Sequence, residues 1–153
     1  MKFLILLLLV GCAAQEGQKV VGITDGDTIK VLVDNKPVKV RLAEIDCPEA
    51  RQAFGTKAKQ YTADLAFGKS VRIITKGKDR YGRTLAEVIL PDGKNLNKEL
   101  VRSGLAWQYK QYSKTPEYKR LEEEARTNKR GLWVDKNPVP PWKFREKPHA
   151  RIR

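Results

Sequence analysis

Three short stretches place acidic and arginine side chains where a bare fold does not require them. The first is Thr24-Asp25-Gly26-Asp27-Thr28, two carboxylates about a glycine at a strand entry. Taken alone, this is also a common hairpin turn. The second, Arg41-Leu42-Ala43-Glu44-Ile45-Asp46-Cys47-Pro48-Glu49-Ala50, gathers Arg41, Asp46 and Glu49 around a strand end, with Pro48 stiffening the turn that projects Glu49. A solvated strand tip with one ion pair has the same composition. Asp27 and Asp46 stand 19 residues apart, about the length of a hairpin and its turn, so a meander can bring them together. Two converging carboxylates and a backbone carbonyl make a hard-oxygen site, suited to Ca²⁺ or Mg²⁺ rather than Zn²⁺. The third stretch is Asp79-Arg80-Tyr81-Gly82-Arg83. A guanidinium at a strand start matches phosphate oxygens bidentately, although an exposed basic hairpin tip reads alike.

Composition narrows the chemistry further. The chain has 153 residues, with 31 Lys and Arg against 18 Asp and Glu, a formal charge of +13. At 41% hydrophobic and 32% charged it can bury one core, which excludes intrinsic disorder and a multidomain assembly. One His and two Cys exclude a His-pair zinc site and a Cys₄ cluster, and leave little scope for a His-based acid/base dyad. Any reaction must therefore run on carboxylates, Arg, Lys and Tyr.

The front end reads as an export signal. Met1-Lys2 precedes an apolar run from Phe3 to Val10, too short to cross a bilayer but suited to a signal-peptide core. Leu9-Val10-Gly11-Cys12 resembles a bacterial lipobox, so residues 1–11 are expected to be removed and Cys12 lipidated. The protein is then expected to be exported and lipid-anchored in the cell envelope, at the outer membrane or facing the periplasm, or otherwise secreted. Acylation of Cys12 leaves Cys47 without an intramolecular disulfide partner. Residues 12–18 read as a tether, 19–136 as the folded domain, and 137–153 as a basic, Pro-rich tail without regular structure, docked through Trp142.

Within the domain, the pattern predicts three strands in a meander. These are Val20-Val21-Gly22-Ile23, Thr28 to Val33 and Val38 to Ala43, with turns at Asp25-Gly26 and Asp34-Asn35-Lys36-Pro37. Helical spacing covers Gln52 to Phe67, Asn95 to Ser103 and Pro116 to Lys129. Two more strands fall at Ser70 to Ile74 and Arg83 to Leu90, and the helix from Asn95 ends at Gly104. Five short strands close most simply as a barrel, which removes exposed edges. The expected fold is α+β, an OB-fold-like five-stranded antiparallel β-barrel with three helices.

Together the three stretches closely resemble the staphylococcal (micrococcal) nuclease family, also called thermonuclease-like. The resemblance runs from about Val20 to Trp133 and includes Leu100-Val101-Arg102-Ser103-Gly104-Leu105-Ala106, Glu124-Ala125-Arg126 and Gly131-Leu132-Trp133. It implies an OB-like five-stranded barrel with three helices and a Ca²⁺-dependent phosphodiesterase acting on DNA and RNA with little sequence specificity; the alternatives are a non-catalytic nucleic-acid-binding OB-like module and a basic structural envelope lipoprotein. By resemblance, Asp27 and Asp46 bind Ca²⁺ through their carboxylates, and Cys47, where the family commonly has Thr, through its backbone carbonyl. Arg41 and Arg83 bind the scissile phosphate, and Glu49 orients or deprotonates the attacking water. The products carry a 3′-phosphate and a free 5′-hydroxyl. Tyr81 and Tyr112, with Arg80, are the substrate-binding candidates, suited to stacking on single-stranded or frayed bases. Lys76, Lys78, Lys110, Lys114 and the basic tail extend a candidate phosphate track, although such charge also suits anionic lipid. No oligomer signal is visible, and a monomer is expected.

Overall fold

The computed structural model describes residues 17–146. Strand β1 (Gln18–Asp25) turns through Gly26 and Asp27 into β2 (Thr28–Val33), which returns as β3 (Lys36–Leu42). Alternation drives this meander: Ile29, Val31, Val40 and Leu42 point inward and are buried, while Lys30 and Lys39 face solvent. The turn between β2 and β3 is made by Asp34 and Asn35, both left-handed at φ 48° and 59°, residue types that tolerate this conformation. After β4 (Ile45–Asp46) and a turn comes α1 (Gly55–Ala66), then the hairpin β5 (Ser70–Lys78) and β6 (Thr84–Ile89). Five strands close in the order β1-β2-β3-β6-β5.

The α+β barrel is as expected, with two corrections. The β3–β6 seam is parallel, pairing Val40 with Thr84, Arg41 with Leu85 and Leu42 with Ala86. A chain that inserts α1 and β5 before β6 re-enters the sheet in the direction of β3, so closure makes this one pair parallel. Among the described residues the helices number four rather than three: α2 (Leu96–Arg102), α3 (Pro116–Thr127) and α4 (Pro141–Glu146) follow α1, with a 3₁₀ turn at Gly131–Val134. Helix α4 lies in the tail expected to be irregular. Pro141 at its first turn and Trp142 stacked on Tyr109, ring centroids 5.4 Å apart at 3°, explain why it forms. At the other end, Gln18 belongs to β1 rather than to the tether.

One core runs from the barrel interior (Val20, Ile29, Val31, Val40, Val88) to the helices (Leu96, Leu100, Leu121, Tyr118). A smaller aromatic cluster lies outside it. Trp107, at the start of β7 (Trp107–Gln108), meets Trp133 edge-on at 4.4 Å, and the Arg126 guanidinium lies 3.7 Å from the Trp133 ring centre. Trp107, Trp133 and Trp142 are thus packing anchors, the last of them as expected. β7 pairs with β4, setting Trp107 opposite Asp46, so this cluster supports the strand that carries a site carboxylate. No helix among the described residues is long and apolar enough to cross a membrane. The signal, tether and Cys12 expectations for residues 1–16 lie outside the described residues, as do residues 147–153 of the tail.

Candidate active site

Arg41 is the hub. It sits on β3 opposite Thr28 of β2, so the residue before Thr28 and the loop after β3 both fall within its reach. Its Nε lies 3.2 Å from Asp27 Oδ1, its Nη2 donates to Asp46 Oδ1 at 2.9 Å, and its Nη1 donates to the Leu42 carbonyl at 2.6 Å. The side chain is only 11% exposed. Asp27 and Asp46 therefore converge as their spacing suggested, bridged by one planar guanidinium whose fork suits two carboxylates.

The two loops lock together. Asp27 Oδ2 accepts the Cys47 N–H at 2.6 Å, and the Leu42 N–H donates to the Asp27 carbonyl at 2.8 Å. Gly26 is needed for close approach: a Cβ there would lie 2.8 Å from Ala58 Cβ and 2.9 Å from Cys47 Cβ. Its carbonyl accepts the Thr62 hydroxyl of α1 at 2.6 Å. Buried Asn97 of α2 is a second clamp. It accepts from Val88 N–H at 3.2 Å and donates to the Ala43 and Ala86 carbonyls at 3.1 and 3.0 Å, tying the parallel seam to the loop that leads to Asp46.

Glu49 stands on the next turn. Its N–H donates to Gln52 Oε1 at 3.1 Å and its carbonyl accepts Gln52 N–H at 2.8 Å. Gly55 opens α1 against this turn, and a Cβ there would come within 1.9 Å of the Glu49 carbonyl oxygen. Phe54 takes φ 68° to let the helix start at that point, which is why α1 begins three residues later than its apolar spacing suggested.

Arg145, on α4, joins this cluster. Its Nη2 donates to Asp46 Oδ2 at 2.8 Å, and its Nη1 to Glu49 Oε1 at 2.7 Å and Asp46 Oδ1 at 3.3 Å. Arg83 is not brought to the cluster by any direct contact. Its Nε donates to Asp79 Oδ2 at 2.6 Å, while Asp79 Oδ1 accepts the Tyr81 and Arg83 N–H groups, both at 2.9 Å. Asp79 thus holds the β5–β6 hairpin tip, and Arg83 precedes Thr84, which pairs with Val40 one residue before Arg41. Tyr81 and Tyr112 are both exposed, at 69% and 61%. The Arg80 guanidinium lies 4.9 Å from the Tyr81 ring centre, and Tyr112 packs edge-on against Tyr109 at 4.8 Å.

Electrostatics mark the cluster as short of positive charge. Burial first, and then the charge of Asp27, push the Asp25 carboxyl up to about 6. Burial also raises Asp46, with Asp27 adding to it and Arg145 and Arg41 opposing. For Arg41, burial works against the charged form but Asp27 and Asp46 outweigh it, so it stays protonated. Burial and Asp27 push the Cys47 thiol well up, so it is a packed, protonated group rather than a nucleophile. Among the described residues, no three His, Cys, Asp or Glu side chains form a ready metal cage. The donor set still fits a hard cation, because the third implied donor is the Cys47 main chain and the buried carboxylates outnumber Arg41.

The Asp25 shift carries a stability prediction for the metal-free protein. Its folded value of about 6 lies above the ordinary 3.8, so its stabilising contribution is complete below about pH 4 and is lost as pH rises through 6. D25N keeps the acceptor for the Asp27 N–H, 3.1 Å away, and removes the charge. Urea unfolding in EDTA should show D25N matching the wild type near pH 4 and exceeding it by about 2 kcal/mol near pH 8. Equal stability at both pH values would contradict the assignment.

A closed barrel that holds two buried carboxylates on one arginine, with a third carboxylate on the following turn, has the make-up of a phosphodiester-cleaving barrel enzyme. The staphylococcal nuclease homologue family matches residues 39–135. The chain is 49% identical over 148 residues to an uncharacterized endonuclease of Haemophilus influenzae, covering 94% of this chain and 83% of that protein. It is 46% identical over 136 residues to an uncharacterized endonuclease of Escherichia coli O157:H7, covering 89% and 88%. It is also 44% identical over 151 residues to the micrococcal nuclease of Shigella flexneri, covering 92% and 87%. The chain belongs to the staphylococcal nuclease family and is a nuclease.

Proposed function

We propose that this nuclease is a Ca²⁺-dependent phosphodiesterase that hydrolyses DNA and RNA with little sequence preference, acting as a monomer on single-stranded or frayed duplex substrates. The observation that carries this reading is the Asp27–Arg41–Asp46 bridge with Glu49 one turn away. Asp27, Asp46 and the Cys47 carbonyl would hold the cation, which when bound supplies Lewis-acid polarisation of a phosphoryl oxygen. Arg41, together with Arg83 just before the start of β6, would bind the scissile phosphate. Its negative charge grows during attack, so the two guanidinium forks stabilise the transition state more than the ground state. Glu49 accepts a proton from the attacking water as the new P–O bond forms. The P–O5′ bond breaks, and the leaving 5′-oxygen takes up a proton from solvent, giving a 3′-phosphate and a 5′-hydroxyl, while Glu49 returns its proton to solvent. Tyr81 and Tyr112 offer exposed rings for stacking on bases, and Arg80 lies beside Tyr81 to take a neighbouring phosphate. The Leu9-Val10-Gly11-Cys12 sequence supports export and a lipid anchor at Cys12, in the bacterial envelope.

The test is hydrolysis of single-stranded DNA with Ca²⁺ or excess EGTA, beside E49Q. EGTA should abolish cleavage, and E49Q should lower the rate constant about 10³-fold while retaining DNA binding. Undiminished cleavage in EGTA would overturn the Ca²⁺ dependence, and wild-type turnover by E49Q would overturn the role of Glu49.

A further inference from the structure

We infer that Arg145 is a tethered competitor for the divalent cation: helix α4 delivers its guanidinium onto the carboxylates that would otherwise hold the metal. The inference rests on the reading that Asp46 is a cation ligand, and adds to it a residue from outside the matched family region, which ends at 135.

The geometry is specific. Arg145 covers both oxygens of Asp46, at 2.8 and 3.3 Å, and one oxygen of Glu49, at 2.7 Å. Arg41 already takes Asp46 Oδ1 at 2.9 Å, so both oxygens of that carboxylate are engaged by guanidinium donors. A hard cation needs at least one of these oxygens at about 2.4 Å, with its lone pair facing the ion. Two positive centres sharing one buried carboxylate at that range repel each other. Cation and Arg145 therefore answer the same excess of negative charge, and binding of one weakens the other by the same factor.

The latch is held in place yet releasable. Trp142 anchors α4 by stacking on Tyr109 and meeting Trp107 edge-on at 5.7 Å, and Gln52 donates to the Val139 carbonyl at the helix approach. These anchors do not involve Arg145. The Arg145 side chain itself is 42% exposed and lies near the end of a six-residue helix, so it can swing into solvent without unpacking the cluster. Its tethering gives it a high effective concentration at the carboxylates, whereas the cation must arrive from solution. The site is thus charge-paired without metal, and apparent cation affinity is reduced by the fraction of molecules with the latch closed.

The test is calorimetric titration of the full chain with CaCl₂, for the wild type, R145K and R145Q, with no substrate present. R145Q should bind Ca²⁺ about tenfold more tightly than the wild type, and R145K, which keeps a point charge but loses the fork, should fall between them. As a second readout, Ca²⁺ should raise the thermal midpoint of R145Q more than that of the wild type. Equal or weaker Ca²⁺ binding by R145Q overturns the competition while leaving the cation site intact. Absence of Ca²⁺ binding by all three proteins overturns the cation site itself, and the competition with it.

Discussion

Replacing Arg41 by Ala is expected to lower the rate of single-stranded DNA cleavage about 10³-fold and to destabilise the metal-free protein by about 3 kcal/mol. The second effect follows from what Arg41 leaves behind. Its guanidinium bridges Asp27 and Asp46, whose side chains are 8% and 3% exposed, and Asp25 adds a further carboxylate to the same corner. Without Arg41, Asp27 loses its guanidinium and Asp46 keeps Arg145 alone, and a buried charge that loses its partner costs more than the pair was worth. The first effect comes from losing the fork that would meet the phosphate. R41K separates the two: an ammonium retains the charge and most of the stability, but cannot bond two oxygens in one plane. R41K should therefore recover more than half of the lost stability and remain at least about 10²-fold slow at saturating Ca²⁺. Cleavage by R41K at the wild-type rate would show that Arg41 serves the carboxylates alone.

Asp27, Arg41 and Asp46 were legible because the fold brings them together through a local device. A meander of β1, β2 and β3 places Thr28 opposite Arg41, and strand alternation and turn residues announce such a meander directly. Arg145 was not legible in the same way. It lies 99 residues from Asp46, within a tail whose many Lys and Arg read as undifferentiated charge, and only Trp142, already expected to dock, hinted at where it would land. The parallel β3–β6 seam is similarly non-local, set by closure rather than by any pattern within either strand. Asn97 looks like an ordinary polar helix residue, and its three hydrogen bonds appear only once β6 and the loop after β3 are in place. Asp79 carried a better signal: four residues before Arg83 across a Gly-containing turn, it is spaced to cap that turn and pair with the arginine. The start of α1 was misplaced because apolar spacing continues through Ala53 and Phe54, whereas the contact of Gly55 with the Glu49 carbonyl sets the true boundary.

The largest effect on stability is expected at Gly104, which takes no part in the carboxylate cluster. Gly104 follows α2 with φ +67°, and its carbonyl accepts the Leu132 N–H at 2.9 Å. A Cβ at Gly104 would lie 2.1 Å from the Arg130 carbonyl oxygen, and one at Gly131 would lie 2.3 Å from the Gly104 carbonyl oxygen. Two backbones meet here with no room for a side chain on either. G104A combines left-handed strain of about 1 kcal/mol with an overlap that only separation of the two segments relieves. Separation would pull Leu132 and Trp133 away from Trp107, and with it the support of the strand that carries Asp46. The expected cost is more than about 4 kcal/mol, a large part of the stability of a domain this size. G93A is the matched control: its φ is +84° but nothing lies within 4 Å of the added Cβ, so it should lose only the strain, about 1 kcal/mol. Urea unfolding should show G93A as a modest shift of a cooperative transition and G104A as a chain largely unfolded without denaturant. Similar losses in the two variants would mean that the backbone contact between the loops after α2 and α3 yields freely, and that conformational strain alone sets the cost.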